Sequence, residues 1–163
     1  MTVRRARPSD VESIYRLMVD LARYERAEHE VRSSASDVSA ALFDDEPSAH
    51  CHVVDVEGEI VGFALWFTNF STWTGTRGLY IEDLFVEPAH RGRGWGLALM
   101  SALARECVER GWSRFEWSVL DWNRPAISFY RRIGAEAMEE WTRYRLSGYA
   151  LRALGDGADP AIF

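Results

Sequence analysis

The sequence predicts a mixed α/β domain (an α+β mixed sheet), with a central, mostly antiparallel sheet and helices on both faces. Three observations predict it. Runs rich in Val, Phe and Trp at 50–56, 60–68 and 78–86 read as strands, the first two joined by Glu57-Gly58-Glu59, a tight-turn sequence. Amphipathic stretches of helical periodicity lie before and after them. From 78 to 120 the chain passes through strand, glycine-rich turn, helix and strand.

Thr2 to Arg7 reads as a first edge strand. Pro8 and the pattern Ser9-x-x-Glu12 suit a capping box, whose side chains satisfy the orphan N–H groups of a helix beginning near Asp10. Val11, Ile14, Tyr15, Met18, Leu21 and Ala22 give that helix one apolar face. A second helix is expected from about Ser36 to Phe43. Asp44-Asp45-Glu46-Pro47 ends it, because proline disfavours helix in the residue before it.

Asn69 to Thr76, rich in Thr and Ser around Trp73 and Gly75, reads as a loop at the mouth of a site. Leu97, Met100, Leu103, Ala104, Cys107 and Val108 form a helical stripe that Gly111 stops, and Phe115 to Leu120 resumes strand character. Asn123 and Pro125 suit the start of a further helix, carrying Ala126, Ile127, Tyr130 and Ile133 toward the core until Gly134. Two strands, Ala135 to Met138 and Trp141 to Leu146, are expected to close the domain. One domain is therefore expected over 1–154, with 155–163 a mobile tail rich in Gly, Asp and Ala.

A chain of 163 residues can bury a core without disulfides or metal. Cys51 and Cys107 form no CxxC pair and read as small buried hydrophobes. His50-x-His52 has no further residue at metal-ligand spacing, so no metal is expected. A net charge of -6 argues against nucleic acid as a partner and favours a cationic ligand. The N-terminus lacks a signal-peptide apolar run, and no apolar stretch approaches the roughly 20 residues that span a bilayer. A cytoplasmic protein without a membrane partner is expected.

Arg91-Gly92-Arg93-Gly94-Trp95-Gly96 lies between the strand ending at Val86 and the following helix. Glycines in such a turn let successive backbone N–H groups face one anion, and the positive end of the helix adds to the attraction. No Lys-Ser/Thr follows, so this is not a Walker loop, and the glycine spacing does not fit a dinucleotide fingerprint. On its own the turn is weak evidence, since a helix cap or a tight connection would also use these glycines.

Arg91-x-x-Gly94-x-Gly96 resembles the acetyl-CoA loop of the GNAT superfamily, Gln/Arg-x-x-Gly-x-Gly/Ala after a strand. Further segments resemble its spermidine/spermine (diamine) N-acetyltransferase branch: 21–25 (LARYE), 60–64 (IVGFA), 79–86 (LYIEDLFV), 122–125 (WNRP) and 128–134 (SFYRRIG). They cover most of the chain from Val3 to about Leu146, in order. The resemblance implies a GNAT fold with a pair of strands splayed at the acetyl-CoA site, acetyl-CoA as co-substrate, and a homodimer.

It also implies roles. Leu84, Phe85 and Val86 would offer backbone hydrogen bonds to the pantetheine arm. The loop Arg91, Gly92, Arg93, Gly94, Trp95, Gly96 and Leu97 would hold the pyrophosphate, with Asn123, Arg124, Pro125 and Ala126 bordering the cofactor. Tyr130 matches the family's general acid, which a departing thiolate requires; as a core tyrosine it would have no such task. Glu82 matches the residue that binds the amine and takes its proton through water, with Asp83 adjacent. A carboxylate within an apolar strand costs desolvation unless it has a role or a partner, so a buried ion pair is the alternative for Glu82. Tyr24, Glu25, Glu116 and Trp117 match positions lining the amine channel. Glu25, Glu82, Asp83 and Glu116 would suit two or more ammonium groups, or are scattered surface carboxylates.

The expected reaction is direct acetyl transfer to a primary amine of a small cationic substrate, a polyamine first. Rival acceptors are a lysine-like amino acid such as thialysine, another small amine or amine drug, and a protein lysine. The non-enzymatic rival is a CoA-binding regulatory module. The loop 69–77 and the C-terminus depart from the family pattern, in regions that shape acceptor specificity and the dimer surface.

Overall fold

Five strands form one sheet in the computed structural model: β1 (Thr2–Arg5), β2 (His50–Val56), β3 (Glu59–Ser71), β4 (Thr76–Val86) and β5 (Arg114–Trp117), in the order β1-β2-β3-β4-β5. The first four pair antiparallel and β5 joins β4 in parallel, which gives the mixed sheet that the sequence predicts. The structure describes residues 2–157. They fall into two compact units, 2–118 and 119–157.

In the first unit, α1 (Val11–Tyr24) and α2 (Ala35–Phe43) cover one sheet face. Ile14, Leu17 and Leu21 of α1 and Val38 and Leu42 of α2 pack with Cys51 and Val53 of β2, Ile60 and Phe63 of β3, and Phe85 of β4. Each large side chain among them contributes roughly 1.5–3 kcal/mol by leaving water. Alternation turns the other strand residues, His52 and Val54 among them, to the opposite face, where α3 (Trp95–Glu109) buries Leu99, Met100, Leu103 and Cys107. Leu97 and Val108, expected in that stripe, are exposed instead.

The start of α1 is capped differently from the Ser9-x-x-Glu12 expectation. Pro8–Asp10 form a 3-10 turn, and Asp10, not Glu12, accepts from the Arg7 main-chain N–H at 2.7 Å. Asp10 can be buried because Arg4 donates to it at 2.7 and 3.0 Å while also holding Asp55. Ser34 and Asp37 cap α2 reciprocally. Glu57 and Gly58 both have positive φ, 56° and 91°, as a two-residue hairpin turn of this hand requires.

The loop expected over 69–76 is shorter than its composition suggests. Asn69, Phe70, Ser71 and Thr76 belong to strands, because β3 and β4 keep pairing up to Ser71 and Thr76. Only the tip 72–75 turns, and there Trp73 is exposed.

The second unit holds α4 (Arg124–Arg132) and α5 (Gly148–Gly155). Asn123 caps α4 as expected, its Oδ1 accepting from the Ala126 N–H at 3.3 Å. Of the α4 residues expected to turn inward, Ala126, Ile127 and Tyr130 are half-buried, and Ile133, just past the helix, is exposed. The two strands expected at 135–138 and 141–146 are absent, since these segments enter no ladder with a described strand. α5 runs through the boundary expected at 154/155, and most of the expected tail, 158–163, lies outside the described residues.

Candidate active site

β4 pairs with β5 only from Gly78 to Ile81, opposite Arg114 to Trp117. β5 ends at Trp117, opposite Ile81, and Glu82 to Val86 of β4 has no ladder partner on that side among the described residues. The exposed main-chain groups there form a strand edge able to take an extended ligand arm.

A bulge sits where that pairing ends. Trp66 of β3 faces Ile81 and the next residue, Leu65, faces Asp83, which leaves Glu82 as the extra residue of β4. The bulge reverses the alternation. Ile81 shares a face with Trp66, whereas Asp83 lies beside Leu65 and Phe85 beside Phe63, on the α1 side. Glu82 is exposed and Asp83 is half-buried, so the desolvation that the sequence reading assigned to Glu82 falls on Asp83. Burial, reinforced by the negative charges of Glu82 and Glu25, pushes the Asp83 carboxyl up to about 6.

Glu25 reaches this region from the end of α1. Ala27 N–H bonds to Ala22 O at 2.8 Å and Arg26 N–H to Arg23 O at 3.0 Å, a Schellman turn with Arg26 at φ 62°. It holds Glu25 half-buried, and burial raises its carboxyl as well. Two desolvated carboxylates, of which Asp83 also feels the charge of Glu25, with no arginine among the causes of either shift, are suited to an alkylammonium guest.

At the end of β4, Pro88–His90 make a 3-10 turn, and Gly92 and Gly94 adopt φ of 74° and 84° before α3 begins at Trp95. A Cβ placed on either glycine would meet nothing within 4 Å, so the loop is an open cradle. Ala98 N–H to Gly94 O, 2.9 Å, begins the helical ladder, and the N–H groups of Trp95, Gly96 and Leu97 precede it without intrahelical acceptors. The Trp95 Nε1–H is buried and has no protein acceptor. These donors fit a pyrophosphate.

The family model described as "Acetyltransferase (GNAT) family" matches residues 11–135. The chain belongs to the GNAT acetyltransferase family. A mouse (Mus musculus) thialysine N-epsilon-acetyltransferase is 36% identical, over 93% of this chain and 95% of its own. The L-ornithine N5-acetyltransferase NATA1 of Arabidopsis thaliana is 30% identical, over 93% of this chain and 86% of its own. Among solved structures, an integron cassette protein from the mobile metagenome of V. cholerae superposes with a TM-score of 0.79 at 26% identity, covering 94% of this chain and 96% of that one.

As a GNAT acetyltransferase the protein is an acetyl-CoA-dependent N-acetyltransferase, and its residues fit that co-substrate: an unpaired strand edge, an open glycine turn and an orphaned indole N–H. The structure brings Tyr24, Glu25, Asp83, Phe85 and Arg91 to the α1 side of the sheet. Phe85 faces the core, which leaves its main chain for the edge role. Arg91 turns back on the strand: its Nε donates to Val86 O at 2.8 Å and its N–H to Pro88 O. Arg93 is exposed beside the glycines.

Glu116 is engaged elsewhere, accepting from Asn69 Nδ2 at 3.0 Å with Arg114 Nε 3.2 Å away, so it does not gather with Glu25 and Asp83. Trp117 lies beside Ile81 in the ladder and packs edge-on against Phe115. In the second unit, Asn123, Arg124, Pro125 and Ala126 form the start of α4, and Tyr130 stands on it in ring contact with Phe129. Cys51 and Cys107 are buried, with both thiols pushed up by desolvation.

Proposed function

We propose that the protein acetylates the terminal primary amine of a small aliphatic cation by direct transfer from acetyl-CoA. The observation carrying this reading is the pair of desolvated carboxylates, Asp83 and Glu25, at the point where β4 leaves β5. Asp83 anchors the ammonium, and Glu82, exposed on the bulge one residue earlier, takes the proton through water. Main-chain N–H groups near Phe85 polarise the thioester carbonyl, acetyl-CoA supplies the activated acetyl group, and Tyr130 gives its phenolic proton to the departing thiolate. Neither cysteine is accessible enough to carry an acetyl group, which favours transfer without an acetyl-enzyme.

Two acceptor classes fit. The spermidine/spermine resemblance favours a polyamine. The printed activities of the mouse and Arabidopsis relatives, on thialysine and L-ornithine, favour an amino acid with a side-chain amine. The test is CoA release with spermidine, spermine, putrescine, thialysine, L-ornithine, lysine and a lysine peptide in parallel. Turnover of a small diamine or amino acid supports the reading. Turnover of the peptide alone, or CoA binding without turnover, overturns it.

The working form is a homodimer in the cytoplasm, with no nucleic acid, membrane or metal partner. The acidic balance of the chain supports the first exclusion, and no helix among the described residues is long and apolar enough to cross a membrane. Light scattering at the concentration of the assay reads the oligomeric state.

A further inference from the structure

We infer that Arg91 is a positioning residue through which occupancy of the glycine cradle sets the affinity of the acceptor site. The inference rests on the acetyl-CoA reading of the cradle. Arg91 immediately precedes Gly92, the first positive-φ residue of the turn, so its backbone is continuous with the cradle. Its side chain runs the other way. Nε donates to Val86 O, the last residue of the unpaired edge of β4, at 2.8 Å. The guanidinium carbon lies 4.9 Å from the Tyr24 ring centroid and 5.3 Å from that of Phe85.

Those three contacts reach the parts that receive the amine. Tyr24 is the last residue of α1, and Glu25 follows it as the helix cap. Phe85 is two residues past Asp83 on the same face, fixed against α1 by the core. One planar cation therefore links the anion turn and the strand edge to two rings, Tyr24 next to Glu25 in the chain and Phe85 two residues past Asp83. The connection is tied to α1 a second time by the Arg16–Glu87 ion pair. A guanidinium suits this post because it stacks on rings and donates in its plane at once, which an ammonium does not.

The consequence is a binding coupling: the ordered cradle holds Arg91, Arg91 holds Tyr24, and the acceptor meets a formed site. Calorimetric titration with thialysine or spermidine, whichever is acetylated, reads it, using the free protein and the protein saturated with CoA. The wild type is expected to bind the amine about tenfold more tightly with CoA present, within the usual range of such couplings. Arg91→Lys keeps the charge, so general attraction between CoA and a cation persists, but it loses the stack and the planar donor. In Arg91→Lys and in Tyr24→Leu the ratio is expected to fall within twofold of one, whatever each substitution does to the affinity for CoA alone. By reciprocity, titrating CoA with and without amine must give the same ratio.

A ratio of one in the wild type, or the wild-type ratio in either variant, overturns the inference. Absence of CoA binding or of turnover in the wild type overturns the acetyltransferase reading instead, so the two failures are distinguishable.

Discussion

Asp83 lies across the β3–β4 ladder from Leu65, one residue past the bulge at Glu82, and this register turns its carboxylate to the α1 face near Glu25. No cation is among the influences on this desolvated acid, which suits the ammonium-binding role proposed for it. Its folded carboxyl sits at about 6 against an ordinary value of 3.8. The folded state therefore holds the proton more tightly than the unfolded one. The sign follows: stability is highest below about pH 4 for this group, declines as pH rises toward 6, and the loss is complete above it.

Asp83→Asn is accordingly expected to stabilise the unliganded protein at pH 8 relative to pH 4 by about 1–2 kcal/mol, discounted for its partial exposure. The same variant is expected to raise the amine KM by about tenfold or more. Denaturant unfolding at both pH values and steady-state kinetics check the two halves. Loss of stability at pH 8 with unchanged KM would assign Asp83 to the fold and not to the acceptor.

Gly94→Ala separates strain from binding. The residue has φ 84°, and a Cβ there meets no protein atom within 4 Å. The left-handed backbone alone is expected to cost about 1 kcal/mol of stability. The methyl group would project into the space meant for the pyrophosphate, so CoA affinity is expected to drop by tenfold or more. Calorimetry of CoA binding reads it, and unchanged affinity would remove the cradle from the site.

His52 supplies an acid-side test of the opposite sheet face. It is buried, accepts from the Trp66 Nε1–H at 3.1 Å, and is pushed down to about 4 by burial and then by Arg5. Its folded value is depressed below 6.5, so the unfolded state takes up the proton first. Stability from this group is intact above about pH 6.5 and is lost as pH falls toward 4, by up to about 3 kcal/mol. An NMR titration is expected to show the His52 ring neutral at pH 5.5; a midpoint near 6.5 would contradict it.

The strand, turn and helix around the cradle were legible because each signal is local: Gly92 and Gly94 for positive φ, then the spacing of Met100, Leu103 and Cys107 for the buried stripe. Splayed strands were expected from family resemblance; the register shows β5 ending opposite Ile81 while β4 runs on to Val86. Which acidic residue is buried was not legible. Glu82 was singled out through the family resemblance, although alternation groups Asp83 with Phe85; what alternation misses is the bulge, since only the pairing of Leu65 with Asp83 reveals that Ile81 has been turned to the other face. Nor did Arg91 announce its rings, since Tyr24 is far away in sequence. Residues 135–146 misled because aromatic content favours extended backbone, whereas a strand also needs a neighbour to pair with.

Tyr130→Phe tests the acid role carried by the family resemblance. A drop in kcat of about 10–100-fold is expected, with the alkaline limb of the pH profile altered and CoA affinity unchanged. Full kcat across the profile would mean that the thiolate leaves without help from this phenol.

The most direct test of the central claim is the rate of CoA release from acetyl-CoA by the purified wild type and by Asp83→Asn, with the panel of small amines as acceptors. The expected result is turnover with at least one small diamine or side-chain amine, and a KM for it that rises about tenfold or more in the variant with CoA binding retained. Turnover confined to the lysine peptide, no turnover at all, or identical KM values in the two proteins would contradict the acidic acceptor site at the β4 bulge.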